Sequence, residues 1–426
     1  MIGPEPYLPR LVDRELREVL AGLPAVSIEG ARGVGKTATA SRLAAATHSL
    51  DDPRAREVLA ADPARLGRDP SPVFIDEWQY WPPVWDSVRH AVDHGAAPGS
   101  FLLAGSATPV GARIHTGAGR IASIRMRPLS LTERGIEIPT VSLEAALAGA
   151  PQQIAGETAV ALPDYAHEIA SSGFPGMRGL PARMRDRLLE GYVEGIVTRE
   201  FPQQGHPVRR PATLTAWLAA YASATATNAA YSTILDAATP GESDKPAKTT
   251  TIAYRDILES LWLLDEVPAW APGESARARL TQAPKHFLAD PALAAVLLGL
   301  DESAISGGAG ETEFDRAHGS LTGRLFEALV ALSLKSYAQA AGARVSHLRT
   351  SQGRHEVDFI VERKRAAVAI EVKLAATVDS RDVRHLLWLK DRLGPRLADA
   401  MVVTAGRHAH RRPDGIAVVP AALLGP

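Results

Sequence analysis

Short apolar runs followed by polar residues predict the strands of a parallel sheet in the first part of the chain. Residues 25–29 and 101–105 are apolar, and residues 72–75 lead directly into the acidic pair Asp76-Glu77. A strand that is buried on both faces shows such a nearly continuous apolar run. Residues 37–46 are good helix formers and follow the first run after a glycine-rich loop. The pattern predicts an α/β unit whose strand ends meet at one edge of the sheet.

Helical patterns separated by turn residues occupy the middle of the chain. Apolar side chains recur every fourth position at Met184, Leu188, Tyr192 and Ile196, which predicts one buried face of a helix over residues 183–198.

Two further helices are predicted over residues 213–231 and 249–264, with an exposed loop between them at residues 236–248. Helix, turn, helix and the following residues resemble a winged-helix unit. Such units bind DNA or serve as interaction or lid domains. The second helix carries Arg255 as its cation, opposed by Asp256 and Glu259, so we favour a role other than DNA binding.

Near the C-terminus the pattern changes to an apolar helix followed by a β-hairpin. Alternation along the second strand places Glu371 and Lys373 on one face, between apolar neighbours. Burying this pair requires that its charges be matched by each other or by a metal ion. The predicted helix, strands and joining turn are residues 325–334, 357–361, 368–374 and 362–365.

Composition is that of an ordinary globular protein, with 426 residues, 46% hydrophobic and 22% charged. Single cores rarely exceed roughly 250 residues, so several domains are expected. The chain has no cysteine, which excludes disulfides and thiolate metal sites and fits a reducing compartment. Because no run of about 18 apolar residues occurs, we expect a soluble, cytoplasmic protein without a membrane partner.

A net charge of −1 hides an uneven distribution. Residues 321–426 contain 17 Lys and Arg against 10 Asp and Glu, a balance of +7, so the preceding 320 residues carry −8. A basic end indicates that any DNA contact lies in the C-terminal region. The alternative is a solvated surface that is rich in arginine.

The glycine-rich loop between the first predicted strand and helix has the pattern G-x-x-x-x-G-K-[ST] of a phosphate-binding loop. Its glycines let backbone N–H groups converge on phosphate oxygens. We expect Lys36 to reach the outer phosphates of ATP and Thr37 to hold Mg²⁺. The loop consists of Gly30, Ala31, Arg32, Gly33, Val34, Gly35, Lys36 and Thr37.

The acidic pair after the strand at residues 72–75 predicts the second half of the nucleotide site. Asp76 is expected to bind the Mg²⁺ shell, and Glu77 to polarise the attacking water. Ser106 follows the strand at 101–105 and is a candidate to hydrogen-bond the γ-phosphate or that water. Arg120 is a candidate cation for the transition state, in its own chain or in a neighbouring subunit. Arg125 and Arg127 are two further candidates of the same kind.

These motifs together resemble a large prokaryotic group of AAA+-type ATP-binding proteins that carry a C-terminal domain of unknown function. The likeness extends over nearly the whole chain. It implies that Ser106 is sensor 1, that Arg120 is the arginine of a Gly-Arg element and that Gln79 lies near the nucleotide. It also implies that the middle helices form a lid. The residues that carry it are 32–37, 75–79, 103–106, 118–120, 127–130, 173–175, 287–290 and 323–327.

The C-terminal acids and lysine, in the order Asp-x₁₂-Glu-x-Lys behind a helical glutamate, resemble a restriction-endonuclease-like core. The resemblance implies that Asp358 and Glu371 hold Mg²⁺, that Lys373 steadies or deprotonates water, and that Glu327 assists the metal. Hard oxygen ligands suit Mg²⁺, and a cation suits the scissile phosphate. His347, Arg349 and Arg354 are expected to line the approach of DNA. A purely structural Glu–Lys pair is the alternative.

The predicted fold is therefore an α/β multidomain protein with a P-loop NTPase parallel sheet of AAA+ type. Its domains are predicted at residues 1–135 (ATPase), 136–205 (helical lid or linker), 206–285 (winged-helix-like) and 286–426 (restriction-endonuclease-like). Three functions stay open: an ATPase that controls a Mg²⁺-dependent DNA endonuclease, an ATP-gated switch that binds a protein partner through an inactive nuclease-like domain, or a remodelling motor that acts as a ring. Assembly into a homo-oligomer is compatible with the first two functions and is required by the third.

Overall fold

A computed structural model describes residues 7–106, 119–150, 152–239, 248–270, 282–307, 320–350 and 353–426. Its N-terminal part is built on five parallel strands in the order β2-β3-β4-β1-β5, so β4 separates the strand before the glycine-rich loop from the strand that ends in Asp76. The predicted parallel sheet is confirmed. The strands are β1 Ala25–Glu29, β2 Ala46–Ser49, β3 Val73–Asp76, β4 Phe101–Gly105 and β5 Ala122–Arg125.

The helix after the glycine-rich loop is shorter than predicted. It ends at Ser41, and β2 begins at Ala46, where the sequence pattern predicted helix. The β2 residues pair with β3, and this tertiary pairing overrides the local helix propensity of the alanine run. The helices of this part are α1 Val12–Gly22, α2 Lys36–Ser41, α3 Pro53–Ala61 and α4 Pro83–Asp93.

The middle of the chain is helical, as expected. The predicted helix at 213–231 is shorter than expected, because it ends at Ser223 and residues 224–230 are not helical. A π-helical turn, Ile196–Glu200, joins α8 to α9. Residues 240–247 of the predicted loop lie outside the described residues. The helices are α5 Leu131–Arg134, α6 Leu143–Leu147, α7 Leu162–Ala170, α8 Ala182–Gly195, α9 Phe201–Gln203, α10 Pro211–Ser223, α11 Tyr231–Ala238, α12 Lys248–Ser260, α13 Pro291–Leu297 and α14 Glu302–Gly307.

The spacing of four residues predicted one buried face of α8, and this prediction is wrong at two positions. Met184 is 61% exposed and Leu188 is 48% exposed, whereas Arg185 and Leu189 point inward. The period of four approximates the helical period but drifts around the helix, and the neighbouring units decide which stripe is covered.

The C-terminal part is a helix followed by a mixed seven-stranded sheet in the order β7-β12-β13-β11-β10-β9-β8. The predicted hairpin is confirmed, since β9 and β10 are antiparallel and are joined by the turn at Lys364, whose φ is 56°. The elements are α15 Leu321–Ala340, α16 Arg384–Leu393, β6 Val141–Ser142, β7 Gly156–Glu157, β8 Arg344–Arg349, β9 Glu356–Arg363, β10 Ala366–Lys373, β11 Leu397–Thr404, β12 His408–Arg411, β13 Ala417–Pro420 and β14 Leu424–Gly425.

Two short strands from the predicted lid region pair with the C-terminal part. Strand β6 pairs with β14, and β7 extends the seven-stranded sheet by pairing with β12. Helix α6 lies between them and contacts β10 and β11. Residues 141–157 therefore pack with the sheet near the end of the chain. Within the described part of the chain, no helix combines the length and apolar character that crossing a bilayer requires.

Candidate functional site

The glycine-rich loop connects β1 to α2 at the carboxyl edge of the parallel sheet. Gly33 and Gly35 have φ angles of 83° and 102°, in the left-handed region that favours glycine. Gly35 caps α2, so the first N–H groups of that helix face the loop. Ala31 and Val34 are buried, and Arg32 projects outward with about three-fifths of its side chain exposed.

Lys36 folds its side chain back into this loop. Its Nζ donates hydrogen bonds to the carbonyl oxygens of Gly30 at 2.7 Å and Ala31 at 2.9 Å. Burial lowers the pKa of Lys36 to about 8, although the charges of Glu77 and Asp76 act in the opposite direction. A buried ammonium group with few compensating charges is suited to a polyanionic ligand.

Thr37 and Asp76 meet at the mouth of the loop, 39 residues apart in sequence. Thr37 Oγ1 donates to Asp76 Oδ2 at 2.9 Å, and the backbone N–H of Glu77 donates to Asp76 Oδ1 at 3.1 Å. Burial raises the pKa of Asp76. A hydroxyl and a carboxylate at one point supply the hard oxygen donors that Mg²⁺ takes together with nucleotide phosphates. These residues therefore fit the expected Mg²⁺.

Glu77, Gln79 and Ser106 form a polar cluster beside Asp76. Gln79 Nε2 donates to the Glu77 carboxylate and to Ser106 Oγ at 3.1 Å, and Ser106 Oγ lies 3.4 Å from Glu77 Oε2. Glu77 itself has φ 51°, an unusual backbone conformation for a residue that is not glycine. Gly105 permits Trp78 and Gln79 to pack closely against the end of β4, because a Cβ atom at this position would lie 2.5 Å from the indole nitrogen of Trp78.

The middle helices cover the mouth of the loop. Tyr192 on α8 donates from its hydroxyl to the carbonyl of Arg32 at 3.1 Å, and Glu200 Oε1 lies 3.9 Å from Arg32 Nη1. Burial raises the pKa of Glu200. A cavity of about 340 Å³ lies here, bounded on one side by Glu77, Gln79 and Ser106 and on the other by the turn that contains Glu200. The sequence pattern did not single out Glu200 as a site residue.

Arg10 holds the glycine-rich loop in place by hydrogen bonds, and the sequence pattern did not indicate this role. Its guanidinium donates to the carbonyl of Val34 at 2.7 Å, to the carbonyl of Arg127 and to Glu133 at 2.9 Å. Both Arg10 and Glu133 are buried, so the loop is tied to the segment that follows β5.

Arg120 lies at the opposite edge of the sheet from the glycine-rich loop. It lies two residues before β5, which runs parallel to β1, and its Nε pairs with Asp93 at 2.7 Å on the surface. The starts of parallel strands lie away from the carboxyl edge where the loop sits. This arrangement does not bring Arg120 to Lys36 or Glu77 in the same chain, so its predicted role requires a neighbouring copy.

The guanidinium groups of Arg125 and Arg127 are held in an ion cluster around the buried Asp265. Both pair with Asp265, at 3.0 Å and 2.8 Å, and Lys335 on α15 pairs with the same carboxylate at 3.3 Å. Burial acts to raise the pKa of Asp265, but the three cations outweigh it and lower this pKa well below the usual range. Gln339 adds hydrogen bonds to Glu15 and to Arg127. The cluster joins the N-terminal sheet, the middle helices and α15.

The C-terminal acids also surround a lysine that sequence reasoning missed. Lys285, 2% exposed, places Nζ 2.6 Å from Glu327 Oε1 and 2.8 Å from Asp358 Oδ1. The other Asp358 oxygen accepts from the backbone N–H of Val372 at 2.9 Å. A single lysine in an isolated β-bridge carries no recognisable pattern, so no sequence signal pointed to it.

Glu371 and Lys373 complete this cluster, as the alternation of β10 predicted. Lys373 Nζ donates to Glu371 Oε1 at 2.8 Å, while Glu371 Oε2 is buried with no hydrogen-bond partner. Burial, and then the neighbouring Asp358 charge, raise the pKa values of Glu327 and Glu371. Among the described residues, no group of three or more His, Asp or Glu side chains is arranged to hold a metal ion. In this arrangement the acids do not fit the expected Mg²⁺.

The three side chains expected on a DNA approach occupy different environments. His347 is 1% exposed, and its Nε2 lies 3.2 Å from Asn228 Nδ2 and 3.1 Å from the carbonyl of Ala283. Burial lowers the pKa of His347 to about 4. It is a neutral core histidine, and the expectation that it lines an approach is wrong. Arg349 and Arg354 are exposed.

Three stretches of the chain match known protein families. Residues 23–134 match the family described as AAA domain, residues 162–304 match a domain of unknown function (DUF8612), and residues 322–424 match another (DUF4143). With the parallel sheet and its glycine-rich loop, the first match makes the N-terminal part an AAA-type P-loop domain that binds ATP.

Similar proteins are known from bacteria and archaea. Uncharacterized proteins of Mycobacterium tuberculosis and Mycobacterium bovis are each 27% identical over 423 residues, covering 95% of this chain and 82% of theirs. The Walker-type ATPase PABY2304 of Pyrococcus abyssi is 16% identical, with a TM-score of 0.40 over 69% of this chain and 97% of that one. The ORC2 protein of Aeropyrum pernix, solved as ADPNP–ADP complexes, is also 16% identical, with a TM-score of 0.30 over 70% and 94%.

Proposed function

We propose that this protein hydrolyses ATP at the site formed by the glycine-rich loop, Asp76 and Glu77. The observation that carries the proposal is the meeting of Thr37 with Asp76 beside the Glu77–Gln79–Ser106 cluster. When bound, Mg²⁺ would be held by Thr37 and Asp76 and would offset phosphate charge. Lys36 offsets further charge on the outer phosphates.

Glu77 is the proposed base of this reaction. Its carboxylate lies where Gln79 and Ser106 donate to it, so the cluster orients it toward the cavity and leaves an oxygen lone pair to polarise water. Ser106 then serves as the sensor that contacts the γ-phosphate or the water. Arg120 acts, in this proposal, on the nucleotide of a neighbouring copy.

Nucleotide state is proposed to reach the C-terminal part through two contacts. The first is the lid contact of Tyr192 and Glu200 with Arg32. The second is the Asp265 cluster, where cations from the N-terminal sheet and from α15 share one carboxylate. In this proposal, a shift of the glycine-rich loop on hydrolysis changes the position of α15, the helix that carries Glu327.

For the C-terminal part we propose a restriction-endonuclease-like core, supported by the order helix, three antiparallel strands, helix, parallel strand and by Asp358, Glu371 and Lys373 on one hairpin. The middle is proposed to be winged-helix-like, supported by the antiparallel bridges after α12. Lys285 among the acids favours the second candidate function: an ATP-gated switch that binds a protein partner and has an inactive nuclease-like domain.

Steady-state ATP hydrolysis and nucleotide binding test the ATPase proposal. We expect Lys36→Ala to abolish ATP binding, and Glu77→Gln to bind ATP while its kcat falls about 10²–10⁴-fold, the usual contribution of a general base. Glu57→Gln, a substitution on exposed helix α3, is the matched control and should leave kcat unchanged. Rapid turnover by Glu77→Gln would remove Glu77 from this role. Incubation with branched and linear DNA and Mg²⁺ or Mn²⁺ distinguishes the two C-terminal functions.

A further inference from the structure

The acid cluster of the C-terminal part is closed by a residue from outside that part. Lys285 lies before α13, in the stretch that matches the middle family, whereas Glu327, Asp358 and Glu371 lie in or beside the C-terminal match. The backbone of Lys285 exchanges two hydrogen bonds of 2.9 Å with Val267. This lysine is therefore held by an antiparallel bridge in the middle part of the chain, and its side chain reaches the acids of the C-terminal part.

The charge balance at this point is that of a filled cation site. Three carboxylates lie close enough to influence one another's ionisation, and Lys285 and Lys373 are the ammonium groups that contact them. Lys373 contacts Glu371, and Lys285 bridges Glu327 and Asp358. A second, independent feature is the buried Glu371 Oε2, which has no hydrogen-bond partner although Glu371 is 7% exposed. An unpaired buried carboxylate oxygen is costly unless a cation reaches it.

We propose that the Lys285 ammonium group takes the place of a divalent cation among Glu327, Asp358 and Glu371, and that its removal opens these acids to Mn²⁺ or Mg²⁺. The resident lysine and a metal ion compete for the same Asp358 oxygen, so both cannot bind at once. The cluster is thus latent, and displacing Lys285 requires movement of its side chain or of the bridge that it forms with Val267. The inference rests on the proposed nuclease-like core and is independent of ATP hydrolysis.

Mn²⁺ binding to the nucleotide-free chain tests this inference, and the loss of the free Mn²⁺ signal in electron paramagnetic resonance measures that binding. We expect Lys285→Met to bind Mn²⁺ at least tenfold more tightly than the natural chain, with one additional ion per chain. Adding Asp358→Asn to Lys285→Met should abolish the gain. Lys335→Met is the matched control, because that lysine is equally buried but contacts the single carboxylate of Asp265 between two arginines.

A second variant and a comparison of Mn²⁺ binding decide between the outcomes. If Lys285→Met does not fold, the Lys285→Met/Glu327→Gln double variant removes one charge of each sign, retains Asp358 and Glu371, and is expected to show the same gain. Equal Mn²⁺ binding by the natural chain and these variants, whether strong or absent, overturns the inference. Tight Mn²⁺ binding without cleavage of DNA leaves the inference in place and removes cleavage from the proposed function.

Discussion

Replacing Asp265 with Asn should destabilise the protein strongly, because this buried carboxylate is the shared counter-ion of the buried Lys335 and the partly buried Arg125 and Arg127. Arg125, Arg127 and Lys335 lie 3.0, 2.8 and 3.3 Å from its oxygens. Removing one partner of a buried ion pair costs about 3–5 kcal/mol, since the remaining charge is left without compensation. With three cations affected, we expect a loss of about 3–5 kcal/mol in the free energy of unfolding, toward the upper end of that range.

Urea unfolding at neutral pH, with hydrogen exchange of the α15 amides as the local probe, measures this loss. The control is Glu18→Gln, which breaks the exposed Arg14–Glu18 pair and should change stability by less than about 1 kcal/mol. Adding Lys335→Met to Asp265→Asn should recover part of the loss, because one uncompensated cation disappears. A loss below about 1 kcal/mol for Asp265→Asn would refute the reasoning.

Acidification below about pH 4 should progressively reduce the difference in stability between the natural chain and Asp265→Asn. The folded-state pKa of Asp265 lies below its ordinary value of 3.8, so its stabilising contribution is fully present above about pH 4. That contribution is lost as pH falls through the folded-state pKa. A difference in stability that stays constant from pH 7 down to pH 2 would show that the carboxylate is not the source.

Two further predictions concern the nucleotide site. ATP affinity should be constant below pH 8 and fall up to tenfold per pH unit above it, because Lys36, with a pKa of about 8, must then take up a proton to bind the phosphates. Titration calorimetry from pH 7 to 9.5 measures this dependence, and an affinity that does not change with pH contradicts the prediction. Gln79→Leu should lower kcat about tenfold or more with unchanged ATP affinity, since Glu77 and Ser106 lose their common hydrogen-bond donor. Gln79→Glu should lower kcat further, because its carboxylate repels that of Glu77. Single-turnover hydrolysis separates chemistry from binding, and an unchanged kcat excludes a positioning role for Gln79.

The nucleotide-binding half of this protein could be predicted because its signals are local. Backbone conformation at Gly33 and Gly35, and the adjacency of Lys36 to Thr37, depend on residues that are neighbours in the chain. The apolar run before Asp76 carries its own evidence of burial. The β9–β10 hairpin was predictable for the same reason, since a short turn and alternating side chains determine which face Glu371 and Lys373 share.

Contacts between distant segments had no such signal. Asp265 meets Arg127 across 138 residues, and Lys285 meets Asp358 across 73 residues. In the sequence these are single charged residues of the kind found on any surface, and the sequence alone makes Arg125 and Arg127 candidates for the nucleotide site. The same holds for Met184 and Leu188, whose apolar spacing does not reveal whether another unit covers them.

The sequence by itself therefore determined an ATP-binding loop, its acidic strand end and a hairpin that carries Asp358, Glu371 and Lys373. Tertiary structure alone decided which charges neutralise one another: Lys285 pairs with Glu327 and Asp358, and Asp265 pairs with Arg125 and Arg127. The physical reason is that a backbone motif is specified by neighbouring residues, whereas the partner of a buried charge is specified by how separate units pack.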